Sequence, residues 1–235
     1  MPRGSQLGEL INAFREETGH ANSRSLGKNE LPGVISLLRR TYRRLHADFS
    51  WPHLVIQRDK TLVAGGRYYS FPADIDFTRL TKRVKILEQG HTYWRNLDYG
   101  IGIEQYNIVA SDEDAREDFP YFWDQYEDNQ FEVWPIPASN GHTMRFEGIS
   151  KPQPLIAENE IVDLDDDLIV LYAAAEQLAR DGARDAEIKL ALAKQHYNRL
   201  KGNSQNDSGN ISMRAGTDRG PIYTGIQIPY AIRGR

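Results

Sequence analysis

The sequence lacks the residues and motifs on which several kinds of protein chemistry depend. It contains no cysteine, which excludes disulfide bonds, thiolate metal ligands and cysteine nucleophiles. It has no GxxxxGK phosphate loop and no GxSxG nucleophile motif. No apolar run approaches the roughly 18 residues that a membrane-spanning helix needs, and residues 1–14 lack the apolar core of a signal peptide. We therefore expect a soluble protein that is made in the cytoplasm and has no membrane partner.

The titratable residues show no arrangement typical of a catalytic or metal site. No two histidines stand at the i, i+4 spacing of a helical zinc site; they are His20, His46, His53, His91, His142 and His196. Four acids, Asp163 and Asp165 to Asp167, precede an apolar helical pattern. Acids are favoured at the positive end of a helix dipole, so we expect these to cap the helix rather than to bind a metal. We predict no catalytic residue, no metal and no cofactor.

The charge of the chain argues against a nucleic-acid binder. Its net charge is −4, whereas proteins held by phosphate contacts are usually basic. Four arginines, Arg39, Arg40, Arg43 and Arg44, nevertheless lie together on a predicted helix. A phosphate-binding face is one interpretation. In an acidic chain, such a cluster more often forms a helix face that is exposed to water or that pairs with acids of a neighbouring subunit. We take it as a candidate inter-subunit basic face.

Apolar residues recur at helical spacing near both ends of the chain. Residues 5–19 and 31–52 each predict an amphipathic helix. After Pro154 two further helical patterns follow, separated by a short turn at Gly182, which predicts an antiparallel helical hairpin. The second helix of this hairpin is predicted to bury Ile188, Ala191, Leu192 and Tyr197.

Between the helical regions, the spacing of apolar residues favours short antiparallel strands. Residues 53–72 predict two strands around a turn, and residues 83–97 predict a hairpin that turns at Gln89-Gly90. A third pair of strands, over residues 131–149, is predicted to form a hairpin around the favoured turn Asn140-Gly141.

Acidic and aromatic residues are concentrated in residues 104–128. This segment holds nine acids and one arginine. Its aromatic residues are Tyr106, Phe119, Tyr121, Phe122, Trp123 and Tyr126. Such a segment can bind sugars or cations, or it can be an insertion that packs its rings and leaves its charges in water. The second alternative is the commoner one.

Together these patterns predict an α+β fold in which a helical bundle is interrupted by a small antiparallel β domain. The two N-terminal helices occupy residues 1–52, and the β domain occupies 53–154 with an acidic aromatic insertion at 104–128. A helical hairpin at 155–201 completes the bundle, and residues 202–235 form an extended C-terminal tail.

The tail combines a polar linker with an apolar end. Residues 202–220 have too few apolar groups to offset the entropy of ordering. The end of the chain carries Ile222, Tyr223, Ile226, Ile228, Tyr230 and Ile232, followed by Arg233 and Arg235. From Ile226 the apolar residues alternate, which suits a strand added to a neighbour's sheet edge, and the arginines suit an acidic rim. We expect the tail to be disordered in the free chain and ordered on a partner.

One longer pattern points to a family. Residues 131–179 combine a strand ending in P-x-P, the Asn140-Gly141 turn, a returning strand, a proline-rich crossing and acids that open a helix rich in Tyr and Ala. Residues 51–72 add Trp51, a glycine pair and Phe71-Pro72. Over roughly residues 5–200 the chain resembles the head-to-tail adaptor, or head completion, proteins of tailed bacteriophages.

This resemblance implies a structural virion protein of the neck region. Such adaptors form a ring of identical subunits, commonly twelve, beneath the portal protein. The bundle docks on the portal and on neighbouring copies, and the β domain faces the downstream tail or nozzle protein. DNA passes through the ring only as cargo. The resemblance also implies no enzymatic activity and no cofactor, and it makes the portal or a neighbouring subunit the expected partner of the tail.

Two other functions stay open on the sequence. Trp123, Tyr121 and Tyr126 are candidates for stacking on sugar rings, so the chain is alternatively a carbohydrate-binding or hydrolytic module that uses residues 104–128. It is also compatible with a bacterial interaction protein that has no viral role.

Overall fold

A computed structural model describes residues 3–19, 30–80, 83–127 and 129–207, and within them the α+β class is confirmed. The helices are α1 (Leu7–Thr18), α2 (Leu31–Asp48), α3 (Ile103–Ile108), α4 (Asp166–Arg180) and α5 (Ala186–Asp207). The strands are β1 (Val55–Thr61), β2 (Tyr68–Ser70), β3 (Ile75–Leu80), β4 (Val84–Leu87), β5 (Trp94–Tyr99), β6 (Arg116–Glu117), β7 (Phe122–Tyr126), β8 (Gln130–Trp134), β9 (Ile136–Pro137) and β10 (Thr143–Ser150).

Helix α4 is the centre of the bundle and packs against α1, α2 and α5. It begins at the cap predicted from the sequence: the Leu168 N–H donates to Asp165 Oδ1 at 3.0 Å. Three consecutive alanines, Ala173 to Ala175, are buried along it and let neighbouring helices approach closely. The bundle core includes Phe14, Leu38, Tyr42, Leu168 and Ile169. Burial of each such large apolar side chain contributes roughly 1.5–3 kcal/mol.

The main sheet has the strand order β1-β10-β4-β5-β7-β8-β2, and β3 also pairs with β10. β1 pairs with β10 along its whole length, from Val55 opposite Ile149 to Thr61 opposite Thr143. The core on the sheet is aromatic, with Phe71, Trp123, Phe131 and Phe146 in mutual contact. The strand pairs of the main sheet are antiparallel except for the parallel pair β5–β7.

The sheet is tied directly to the bundle. Ile149, at the end of β10, belongs to the bundle core rather than to the aromatic core. Arg79 on β3 donates to the carbonyls of His46 at 2.7 Å and Phe49 at 2.9 Å, at the end of α2. These contacts satisfy carbonyls that a helix end leaves without intrahelical partners.

Turn chemistry predicted one hairpin correctly and one wrongly. β4 and β5 pair antiparallel as expected, and Gly90 in the connecting turn has the left-handed φ of 81° that glycine favours. The hairpin predicted over residues 131–149 is wrong, because its two strands, β8 and β10, do not pair with each other. β8 pairs with β7 and β2, whereas β10 pairs with β1, β3 and β4. Pro135 and Pro137 donate no backbone hydrogen bond, so β8 cannot continue as a ladder towards the turn.

The strands predicted in residues 53–72 exist as β1 and β2, but they do not pair with each other. They lie at opposite ends of the strand order. The segment 104–128 also differs from an appended insertion, because it supplies β7, which lies between β5 and β8 in the sheet. The non-local pairs therefore organise this sheet more than the local turns do.

The orientation of α5 differs from the prediction. Ile188 and Leu192 were expected to be buried, yet they are 61% and 45% exposed, and Ala191 is exposed as well. The helix instead buries Ala193, His196 and Leu200. Tyr197 is half-buried against Trp51 and Tyr172, as expected. Because the sequence of α5 has apolar residues on more than one side, its spacing does not select the inward side.

Helix α5 also extends further than expected. It ends at Asp207, whereas the predicted tail began at residue 202. The remainder of the tail, residues 208–235, lies outside the described residues.

Candidate interaction surfaces

The four arginines of α2 are placed differently from one another. Arg39 donates through Nε and Nη2 to the carbonyl of Leu155, at 2.9 and 2.7 Å. Arg40 forms an ion pair with Glu176 on α4. Arg44 lies over the ring of Tyr172 at 5.5 Å, while Arg43 is exposed.

These positions divide the predicted basic face. Arg39 donates to the loop before α4 and stabilises the fold, so it does not belong to a face that is free to bind a partner. Arg40, Arg43 and Arg44 keep exposed side chains that a neighbouring protein can reach. Their role toward a partner stays a prediction.

A first groove runs between α2, α4 and α5 and has a volume of about 660 Å³. Its residues include Arg40, Arg44, Tyr172, Glu176 and Leu190. We call it the arginine groove, because the two arginines of α2 line one wall. Its charges are mixed, since Asp48, Glu176 and Glu187 line it as well. At its base the Thr41 hydroxyl is buried without a hydrogen-bond partner among the described residues.

A second groove lies between α1, α4 and α5 and has a volume of about 610 Å³. Its apolar residues are Leu10, Ala13, Val170, Leu171 and Leu192. Its acids are Glu9, Glu16, Glu17, Asp166 and Asp167. We call it the acidic groove. Lys189 pairs with Glu17 at one side, and the acids still outnumber the cations that line the groove.

The carboxylate of Asp166 is the least satisfied group of the acidic groove. The residue is only 7% exposed, and neither of its oxygens makes a well-formed hydrogen bond within the described part of the chain. Burial raises the pKa of Asp166; the Ser5 hydroxyl opposes this shift, and the carboxylates of Asp165 and Asp167 add to it. A buried carboxylate that has only the Ser5 hydroxyl near it, and no well-formed hydrogen bond, is costly.

Next to Asp166, a polar network joins α4 to α5. His196 Nε2 lies 2.7 Å from Asp165 Oδ1, the oxygen that also caps α4. Arg199 Nη2 lies 2.8 Å from His196 Nδ1. The cap, the histidine and the arginine therefore form a continuous chain of hydrogen bonds between the two helices.

The same residues contain a possible ligand set for a metal ion. Asp165, Asp167 and His196 each offer one ligand atom, and these atoms lie within 4.8 Å of one another. Asp165 Oδ1 and His196 Nε2 already bond to each other, so a metal would have to replace that contact. We assign the cluster to helix capping and to the packing of α5, as the sequence predicted for its acids.

Beside the two grooves, α5 presents apolar side chains to solvent on two of its sides. Ile188, Leu190 and Leu192 are all exposed on this helix. Ile188 and Leu192, one helical turn apart, share one side, and Leu192 lines the acidic groove. Leu190, two positions from each, points to nearly the opposite side and lines the arginine groove. An exposed apolar patch beside polar rims is typical of a protein–protein interface. The sequence analysis missed this surface because it predicted Ile188 and Leu192 to be buried; the excess of apolar residues around α5 was the available signal.

The aromatic residues of 104–128 do not form a common stacking surface. Trp123 is 2% exposed and belongs to the core of the sheet. Tyr121 lies beneath Arg95, whose guanidinium carbon is 5.0 Å from the ring centroid. Tyr126 is stacked on Tyr68 with a centroid distance of 4.1 Å. The three rings proposed for sugar binding are therefore committed to separate contacts.

The other residues predicted for binding lie in the tail, outside the described residues. They are Ile222, Tyr223, Ile226, Ile228, Tyr230, Ile232, Arg233 and Arg235. Their contacts stay predictions.

None of the described helices is long and apolar enough to cross a membrane. The model of one protein family, described as SU10 adaptor protein, matches residues 5–221. This match spans more than nine-tenths of the chain and includes the bundle and the sheet. No curated protein matches the chain.

Proposed function

Because the chain belongs to the SU10 adaptor protein family, we propose that it forms a ring in the neck of a phage particle that joins the portal protein to the tail. Membership of the family makes it an adaptor-type structural protein of a phage. The proposed ring is built from identical copies, with twelve as the expected number, and it surrounds the channel through which DNA passes as cargo. The proposal requires no catalysis and no cofactor.

The observation that carries the proposal is the exposure of Ile188, Leu190 and Leu192 on two sides of α5. The helix lies between two grooves of different lining: the arginine groove, where two arginines and three acids mix, and the acidic groove, where acids outnumber cations. A closed ring needs heterologous contacts, in which one surface of a subunit meets a different surface of the next. Two unlike grooves on either side of an exposed apolar helix supply such a pair of surfaces.

Two further contacts belong to the proposal. The exposed arginines Arg40, Arg43 and Arg44 would face acids of the portal or of the next subunit. The tail residues from Ile222 to Arg235 would bind the portal or a neighbouring subunit, and the sheet would face the downstream tail or nozzle protein. A tail tethered to a folded body binds at a high effective concentration, and a ring multiplies that advantage.

Native mass measurement of the purified full-length chain, alone and mixed with the portal of the same phage, tests the proposal. We expect small species for the chain alone and a closed ring of a single copy number on the portal. The variant Ile188→Asp should fold normally and fail to form the ring, whereas Glu104→Gln, an exposed change on α3, should assemble as the wild type does. A wild-type chain that stays separate from the portal would overturn the proposed function.

A further inference from the structure

The acidic groove is so far assigned only as one of the two unlike surfaces beside α5, without a named ligand. We propose that it binds residues 220–235 of a neighbouring copy of this chain. The inference rests on the proposed function in one respect, since a ring is what holds neighbouring copies side by side. It adds the site on the subunit that receives the tail and the residues that recognise it.

The groove combines the two properties that such a segment needs. Apolar side chains of α1, α4 and α5, including Leu10, Val170 and Leu192, form its floor. The acids Glu9, Glu16 and Asp167 are exposed at its edges. A ligand that fits must therefore be apolar along its length and positively charged.

Asp166 marks the point where the charge of the ligand is needed. It lines the groove and is more than nine-tenths buried, and both of its oxygens lack a well-formed hydrogen bond among the described residues. Its two oxygens are closed to solvent, so the side chain has to turn toward the groove before a guanidinium group can supply two parallel N–H donors to the carboxylate. Arginine is suited to this task because its planar fork matches the two oxygens.

Residues 220–235 have the complementary composition. They contain Arg233 and Arg235 and no acidic residue. Four apolar residues, Ile226, Ile228, Tyr230 and Ile232, precede the arginines at alternate positions. In an extended segment these side chains point to the same side, so one row of apolar side chains can lie on the groove floor. Arg233 and Arg235 follow at positions of the opposite side, so an arginine reaches Asp166 only where the chain turns, and Gly234 between them permits such a turn.

The course of α5 and the length of the linker allow the tail to reach a neighbouring copy, which the proposed ring would hold at the side of the subunit. The groove contacts α5 from Leu192 to Arg199, and the helix then runs on to Asp207. Those last eight residues carry the chain about 12 Å beyond the groove. The twelve residues from 208 to 219 can span at most about 40 Å, which is enough to reach an adjacent subunit.

Binding is tested with a fluorescent peptide of residues 220–235, titrated into the full-length chain. The acceptor carries Ile226→Ser, Ile228→Ser and Tyr230→Ser, so that its own tail does not compete. We expect saturable binding, weakened about tenfold or more when the acceptor also carries Asp166→Asn and Asp167→Asn. A peptide with Arg233→Ala and Arg235→Ala should lose a similar factor. Glu104→Gln in the acceptor is the matched control and should leave the affinity unchanged.

Asp166 is buried, so its replacement can alter the fold of the acceptor as well as the groove. A second variant at an exposed residue separates the two effects. Glu16 is exposed and lines the groove, and Glu16→Gln should weaken the peptide about threefold without changing the thermal midpoint of the acceptor. Equal affinity for the wild-type groove and both groove variants would overturn the inference, as would the absence of binding at about 1 mM peptide.

A cross-linking experiment separates a neighbour's groove from the chain's own. The photoreactive residue p-benzoylphenylalanine replaces Leu192 in the full-length chain, and isotopically light and heavy copies are mixed before assembly on the portal. We expect cross-links between position 192 and residues 222–235 that join a light chain to a heavy chain. Cross-links confined to single chains, or cross-links from the tail to the portal alone, would overturn the inference.

The two proposals fail in distinguishable ways. If rings form on the portal but the tail cross-links only to the portal, the ring function stands and the groove assignment is wrong. If the peptide binds the groove as described but no ring forms on the portal, the groove assignment stands and the proposed function is wrong.

Discussion

Arg145 on β10 lies directly opposite Asp59 on β1, and its guanidinium donates to both carboxylate oxygens, each at 2.7 Å. The same guanidinium carbon is 4.0 Å from the ring centroid of Trp94 on β5. Arg145 thus joins three strands on the outer face of the sheet. The pair lies where β1, the strand that leads out of the bundle, meets the strand that returns to it.

This contact predicts an acid-dependent loss of stability. The hydrogen bonds from Arg145 lower the pKa of Asp59 below its unfolded value of 3.8. The contribution of the pair is therefore complete above about pH 4 and is lost as the pH falls through the lower, folded pKa. Since both side chains are more than one-third exposed, Arg145→Ala should cost only about 0.5–1 kcal/mol at pH 7.

Thermal unfolding of the wild type and Arg145→Ala between pH 2 and pH 7 measures this effect. The difference between the two midpoints should be constant near neutral pH and shrink as Asp59 is protonated. Arg58→Ala, which removes a different exposed pair with Asp74, is the control for loss of one arginine. A difference that grows toward low pH would contradict the assignment.

Asp166→Asn is expected to stabilise the isolated chain at neutral pH. The pKa of Asp166 is raised in the folded chain, chiefly by burial. The free energy of unfolding therefore falls as the pH rises from the unfolded pKa of 3.8 through the higher pKa of the folded state. Removing the ionisable group removes this cost. We expect a thermal midpoint about 2 °C higher at pH 7 and no difference at pH 3. Asp167→Asn, at an exposed neighbour, should give no such rise, and a lower midpoint for Asp166→Asn at pH 7 would show that the carboxylate is well paired.

Charge reversal on α2 tests the predicted inter-subunit basic face. Arg40→Glu combined with Arg43→Glu should block incorporation into particles. It should leave the monomer folded, because both side chains are exposed and the Arg40–Glu176 pair that the change removes is a surface pair of small energy. Circular dichroism and the protein content of purified particles measure the two effects. Arg39→Glu is a poor probe, since that residue holds the Leu155 carbonyl and its loss should destabilise the fold. Normal incorporation of the double variant would assign the face to solvent.

Deletion of residues 220–235 should leave thermal unfolding of the body almost unchanged. Both hydrophobic cores are built from residues between Leu7 and Leu200. The deletion should weaken attachment to the portal sharply, and Ile226→Ser, Ile228→Ser and Tyr230→Ser together should reproduce most of the loss. Arg233→Ala with Arg235→Ala should cost less than loss of the apolar side chains and depend on salt, since the acids at the edges of the acidic groove are exposed and their attraction is screened. A truncated monomer that melts at a much lower temperature would place the tail within the fold of the body.

The chain is expected to hydrolyse neither glycans nor nucleic acid. Incubation of the purified protein with either substrate should release no product above buffer. The acids to test in the aromatic segment are Asp124, which accepts a hydrogen bond from the Ile101 N–H at 3.2 Å, and Glu127. An activity that disappears in Asp124→Ala or Glu127→Ala would favour the alternative function as a hydrolytic module.

Several elements followed from the sequence because their determinants are local. The β4–β5 hairpin needs a glycine at its turn and apolar residues on both sides, all within residues 83–97. The start of α4 needs only the carboxylate of Asp165 three positions before the Leu168 N–H. The α+β class likewise followed from the change in apolar spacing along the chain. Interactions between near neighbours are visible in the order of residues.

The candidate site was decided by contacts between distant residues. The sequence could not select which strand pairs with β10, because β1 is separated from it by more than eighty residues. It could not choose the inward side of α5 either, since Ile188 and Leu192 are at least as apolar as the buried Ala193. The packing of α5 on α4 made that choice. The acidic groove exists only because α1, α4 and α5 meet, which places Glu9, Asp166 and Leu192 around one cavity. Spacing along one helix fixes which side chains share a side, but only packing between helices determines what each side faces.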